Sequence, residues 1–253
     1  PKSAVGNLTS GGSIANLIAL TAARDKHGIK NEKITSSVIY LSAHVHHCIQ
    51  KALRIIGLED VVVREVELDD NSKIITSKLK ELIAADKAAG LNPFLVIASA
   101  GTTDTGAIDP LEEIGNVAKS NNLWYHIDGA YGGFFILIDQ LKSRFNGIEM
   151  ADSLVVDPHK GLFLPYGLGA VLVKNKKAVG IPDVPAESIK YYLGSKFSVD
   201  NLNIPEHRVE EFIRYVEDDT FDFDLLNYGH ELEFLDLLSK KSKTFLNAKS
   251  DAE

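Results

Sequence analysis

The sequence predicts an α/β fold, a mostly parallel sheet of six or seven strands lying between helices. Short apolar, β-branched runs recur between residues 36 and 173, as strands covered on both faces require. Stretches with apolar residues at helical spacing separate them, and strand–helix alternation is the mark of parallel βαβ units. From about Gly180 this pattern stops: Pro182, Pro185 and Pro205 interrupt the chain before an acidic, aromatic-bearing helical stretch at about 206–240. The expected division is therefore 1–179, a large domain, and 180–253, a helical segment of open placement.

The elements follow in order. The glycine-rich run Thr9–Ser13 opens a helix carrying Ile14, Leu17, Ile18, Ala19 and Ala22 on one side through Arg24. Strands are expected at 36–41, 61–66 and 94–98, all buried and parallel, with helices at 46–56 and 76–89. A helix at 110–120 has Pro110 in its first turn, where a missing N–H does no harm. Strands at 123–127, 153–156 and 169–173 complete the sheet, the last after a loop containing Pro165 and Gly167.

Composition narrows the function. A net charge of −8 disfavours nucleic acid and anionic lipid as partners, and no apolar run approaches the roughly 20 residues of a membrane span. The single Cys48 excludes an internal disulfide framework, and with no targeting signal visible a cytoplasmic location is expected. A chain opening on Pro1 whose one methionine is Met150 reads as a fragment or as a product of initiator removal.

The chemistry gathers after the strands. Asp157-Pro158-His159-Lys160 follows the run 153–156, so a lysine stands at the end of a buried strand. Proline favours an extended Asp157 and stops the strand, projecting the next side chains at the edge where α/β proteins gather their sites. Partly desolvated surroundings there would favour the neutral amine that attack on a carbonyl needs; a solvated strand-end lysine is the plain alternative. Asp128 closes the apolar run 124–127, where a carboxylate calls for a cationic partner such as a protonated pyridine nitrogen, unless it caps a loop. Gly129, Ala130, Gly132 and Gly133 leave room for a flat ring, or serve unusual loop dihedrals. The free amides and dipole of the helix after Gly11, Gly12 and Ser13 favour a phosphate, with Ser13 as an N-cap the competing reading. His46 can stack on a ring; His44 and His47 have no assigned role, and the three lack further ligands for a metal. Thr103 offers a hydroxyl to a phenolic oxygen or a substrate carboxylate, against a structural turn. Together these groups outline a pyridoxal 5'-phosphate site.

In order and spacing they resemble the group II pyridoxal-phosphate-dependent amino acid decarboxylases, which include aromatic amino acid and glutamate decarboxylases. The resemblance spans about residues 3–177 and rests on Thr9–Asn16, the His46 region running to Ala52, Gly101-Thr102-Thr103, His126–Tyr131 and Asp157–Lys160. It implies a fold-type I transferase-like large domain without a complete small domain. By the same resemblance Lys160 is the Schiff-base lysine, Asp128 meets the pyridine nitrogen, His46 stacks on the ring and Ala130 packs on its other face. Gly11, Gly12, Ser13 and Asp157 lie around the phosphate, Thr103 near the phenolic oxygen or substrate carboxylate, and His159 helps place substrate and cofactor. A homodimer sharing its active sites is also implied. The family's segments before the glycine loop and beyond the lysine strand have no recognisable counterpart, and Tyr191 or Tyr192 stand without flanks matching its proton-donating tyrosine.

The expected reaction is decarboxylation of an L-amino acid, aromatic favoured, to the amine and carbon dioxide. Glutamate and other amino acids stay open as substrates. The alternatives are another lyase on the same fold, an aldehyde-lyase or a desulfurase using Cys48, and a non-catalytic binding or assembly homologue. The acidic residues Glu210, Glu211, Glu217, Asp218, Asp219, Asp222 and Asp224 read first as a solvated helix face.

Overall fold

A computed structural model describes residues 3–179, 195–216 and 231–247. Internal contacts divide the chain into residues 1–181 and 182–253.

The first unit holds strands β1 (Val5–Thr9), β2 (Ser37–Leu41), β3 (Val62–Glu65), β4 (Asn92–Ser99), β5 (Trp124–Gly129), β6 (Ser153–Val156) and β7 (Gly169–Val173). They form one sheet in the order β1-β7-β6-β5-β4-β2-β3. Strands β2 to β6 pair in parallel, whereas β7 runs antiparallel to both β6 and β1. The mostly parallel seven-stranded expectation holds.

Helices α1 (Gly12–His27), α2 (Cys48–Ile55), α3 (Thr76–Ala88) and α4 (Leu111–Asn121) cover the two faces. The period-2 alternation of the strands sorts their side chains. Ile39, Leu41, Leu95 and Ile97 pack with Ala15, Ala19 and Leu20 of α1 and Ile49 and Leu53 of α2. Their neighbours Val38, Tyr40, Val96 and Ala98 pack on the other side with Leu79 and Ile83 of α3 and Ile114 and Val117 of α4.

Three local features depart from the sequence reading. β1 was not foreseen, because its middle residues are exposed and it sits at the sheet edge as an antiparallel partner of β7. β3 is the opposite edge and alternates half-buried with exposed residues, Val63 at 42% exposure, so it is not the buried strand expected. Pro110 lies at the N-cap of α4 rather than inside its first turn.

In the second unit, helices Ser195–Leu202, Val209–Val216 and Glu231–Asn247 contribute to an apolar cluster containing Ile204, Phe212, Val216, Phe234, Leu238 and Phe245. Glu210 pairs with Arg214 and Glu211 with Arg208, as on a solvated face. Glu217, Asp218, Asp219, Asp222 and Asp224, like Pro182, Pro185, Tyr191 and Tyr192, lie outside the described residues. Among the described residues no helix is long and apolar enough to cross a membrane.

Candidate active site

A cleft of about 780 Å³ opens where the parallel strands end. Its lining includes Gly11, Gly12 and Ser13 at the start of α1, His46 before α2 and Thr103 after β4. Asp128 and Ala130 enter from the end of β5, and Asp157, His159 and Lys160 from the turn after β6. Segments separated by more than half the chain meet because parallel strands deliver all their C-terminal ends to one edge.

The lysine end is built locally. Asp157 is extended (φ −111°, ψ 99°), and Pro158 starts a four-residue helical turn, α5 (Pro158–Gly161). That turn brings Lys160 Nζ to 3.1 Å from Asp157 Oδ2. The Lys160 side chain is 35% exposed, partly withdrawn from water, and forms an ion pair with a buried carboxylate. Asp157 Oδ1 is buried without a hydrogen-bond partner. His159 Nδ1 lies between the N–H and carbonyl of Leu168, and its ring meets Tyr166 edge-on at 4.8 Å.

The Asp128 end is built from distant segments. The Asn16 amide donates to Asp128 Oδ2 (3.2 Å) and the Ala130 N–H to Oδ1 (3.0 Å). Each carboxylate oxygen therefore keeps a free lone pair. Asp128 is 9% exposed and opens onto the cleft.

On the cleft wall, the first amide of α2, Cys48 N–H, donates to His46 Nδ1 (3.2 Å) and fixes the ring. Burial, with help from His47, lowers the His46 pKa, which favours the neutral ring. Thr102 and Thr105 carry the hydroxyl contact of the loop after β4, at 2.7 Å, and the exposed Thr103 is left facing the cleft.

Two expectations need correction. Gly11, not Ser13, is the N-cap of α1; its φ of 137° suits glycine, and Ser13 lies within the helix. Nor are Gly129, Gly132 and Gly133 small to admit a ring. A Cβ on Gly132 would stand 2.6 Å from Gly101 Cα, one on Gly133 2.7 Å from Val156, and one on Gly129 3.1 Å from the Val155 carbonyl. The chain's own backbone fills the space, leaving Ala130 as the small residue of that run on the cleft.

Sequence reasoning missed Asn16, which is fully buried and touches Asp128. A signal existed, since an asparagine on the apolar side of a helix is a poor helix former that needs a partner. Cys48 is also buried in the wall, where desolvation pushes its thiol up to about 11. That thiol is neutral at physiological pH and ill suited to carry sulfur.

The pyridoxal-dependent decarboxylase conserved domain matches residues 1–201, and a domain described as the C-terminal domain of BamP matches residues 186–249. The chain is 42% identical over 177 residues to the aromatic-L-amino-acid decarboxylase of Bacillus atrophaeus, covering 70% of this chain and 36% of that protein. It is 39% identical over 176 residues to the L-2,4-diaminobutyrate decarboxylase of Rhizobium meliloti (strain 1021), covering 70% and 35%. The chain thus spans about a third of the length of these curated relatives. Among solved structures, the glutamate decarboxylase domain of diaminobutyrate-pyruvate transaminase and L-2,4-diaminobutyrate decarboxylase from Vibrio parahaemolyticus superposes with a TM-score of 0.67. The identity is 31%, covering 85% of this chain and 48% of that one.

Proposed function

Taking as premise that this chain belongs to the pyridoxal-dependent decarboxylase family, we propose that it forms the cofactor-binding part of a pyridoxal 5'-phosphate enzyme that decarboxylates an L-amino acid. The observation carrying this reading is one cleft lined both by an amine and by a buried, oriented carboxylate.

The residues fit such a cofactor. Asp128 has spare lone pairs for a charged ring nitrogen, and the Gly12 and Ser13 amides precede the first hydrogen bond of α1, which runs from Ile14 N–H to the Gly11 carbonyl. When bound, the cofactor supplies an electron-accepting ring conjugated to the substrate amine, which takes the electrons freed as the carboxylate leaves. Lys160 would hold the cofactor's aldehyde carbon, and its exposure leaves it accessible to exchange with an incoming amine. Asp128 would hold the ring nitrogen charged, His46 would stack on the ring and Ala130 would pack on its opposite face. Gly11, Gly12 and Ser13 would receive the phosphate through backbone amides and the helix dipole. Asp157 lies at the same end, but its carboxylate would repel a phosphate. Its part in this reading is to steady Lys160 against α1, into whose Gly12 it packs. Thr103 would face the phenolic oxygen or the substrate carboxylate, and His159 would help place the substrate.

An aromatic substrate is supported by the 42% identity to the aromatic-L-amino-acid decarboxylase; the 39% identity to the diaminobutyrate enzyme supports a second reading. A homodimer in the cytoplasm completes the proposal; the exposed Leu162, Phe163, Leu164 and Tyr166 that follow Lys160 support the pairing of two copies. The test is release of labelled carbon dioxide from carboxyl-labelled tryptophan, phenylalanine and 2,4-diaminobutyrate by the cofactor-loaded protein, with Lys160→Ala as the control. Release that survives this substitution, or no release from any amino acid, would overturn the decarboxylase reading.

A further inference from the structure

The Asp128 carboxylate is the last member of a buried line of polar groups. Trp124, His126 and Asp128 alternate on β5, so the pleat turns all three to one face. Ser153 stands opposite His126 in the β5–β6 register. Trp124 Nε1 is 2.8 Å from Ser153 Oγ, which is 2.8 Å from His126 Nδ1. His126 Nε2 is 2.7 Å from Asn16 Oδ1, and Asn16 Nδ2 is 3.2 Å from Asp128 Oδ2. Exposure is 0% for Asn16 and His126, 1% for Ser153 and 4% for Trp124.

The direction of every bond in this line is fixed by its ends. An ionised carboxylate only accepts, so Asn16 must present its NH2 to Asp128 and its carbonyl oxygen to His126. His126 then donates from Nε2. Burial lowers its pKa and keeps the ring neutral, so Nδ1 is bare and accepts the Ser153 hydroxyl proton. The Ser153 oxygen in turn accepts from the indole N–H, which can only donate. The second Asn16 N–H meets Cys48 Sγ at 3.4 Å. No member is left unsatisfied, and buried networks of that kind have a single low-energy arrangement.

We propose that Asn16 is a positioning residue, the last donor of a one-way relay Trp124–Ser153–His126–Asn16 that aims the Asp128 carboxylate at the cofactor's ring nitrogen. This rests on the functional reading above and adds to it the device that orients the carboxylate. A relay serving only to tie α1 to the sheet would not distinguish ligands with and without that nitrogen.

Two measurements on the full chain test it. Nitrogen NMR of the labelled histidines at pH 7 should show His126 with a protonated Nε2 and a bare Nδ1; the Nδ1–H tautomer or an imidazolium would overturn the proposal. Dissociation constants are then compared for pyridoxal phosphate and for its analogue with the ring nitrogen replaced by CH. Asn16→Leu should weaken pyridoxal phosphate by about tenfold, the loss of a hydrogen bond to a charged group, and change the analogue less than about twofold. An equal loss for both ligands makes the relay merely structural and overturns the inference. His126→Leu should give the same pattern if Asn16→Leu does not fold. Should the unsubstituted protein bind neither ligand, or both alike, the functional reading falls together with this inference. Should Asp128→Ala erase the discrimination while Asn16→Leu and His126→Leu keep it, the relay alone is wrong.

Discussion

The two ends of the cleft are constructed on opposite plans. Lys160 stands on a four-residue turn, is a third exposed, and is held by a carboxylate three residues away in the chain. Asp128 is nearly buried and held by a residue 112 positions away on another element. An amine that must be displaced and recovered needs reach, which a short turn at a strand end provides. A carboxylate that must hold one charge in one place needs rigidity, and that comes from long-range packing.

If this contrast is right, substitutions at the two ends should fail differently. Lys160→Ala should abolish both product formation and the visible imine absorption and, by leaving the buried Asp157 carboxylate without its cation, lower the unfolding temperature; an absorption spectrum and a melting curve read both. Asp128→Asn should keep the imine but lower kcat on the order of 10²–10³-fold, the scale for losing a preorganised electrostatic partner, as steady-state kinetics would show. An equal loss of imine in both variants would erase the distinction. Gly12→Ala would drive a Cβ to 2.8 Å from Asp157 Oδ2 and 3.0 Å from Ala130 Cβ. Overpacking of that kind costs roughly 1–3 kcal/mol, measurable by denaturant unfolding.

The buried end should also respond to acid. Burial depresses the pKa of His126, so below about 6.5, the ordinary imidazole value, the unfolded chain binds a proton that the fold resists. The resulting stability is fully present above that pH and is lost as the pH falls. His126→Asn should flatten the acid limb of a stability–pH curve, and an unchanged limb would count against a neutral buried ring. The smallest effect is expected at the exposed rim: Thr103→Val should alter unfolding free energy by no more than about 0.5 kcal/mol.

The same contrast explains what the sequence made legible. Asp157–Lys160 could be read because its geometry is local, a strand end followed by a proline that dictates the next turn. The core strands were legible through their apolar runs, whereas β1 was not, since an exposed edge strand containing Gly6 and Asn7 carries no such run. Asn16 was invisible as a partner of Asp128, because only the packing of α1 over β5 joins them. The glycines after Asp128 were misread for a related reason: composition shows that a side chain is absent, and only the fold shows which atoms use the space.

The most direct measurement is to treat the protein with pyridoxal phosphate, reduce it with borohydride and map the modified peptide by mass. A single adduct on Lys160, lost on its substitution, is the predicted result. An adduct spread over surface lysines, or none on the peptide containing residue 160, would contradict the assignment of this cleft.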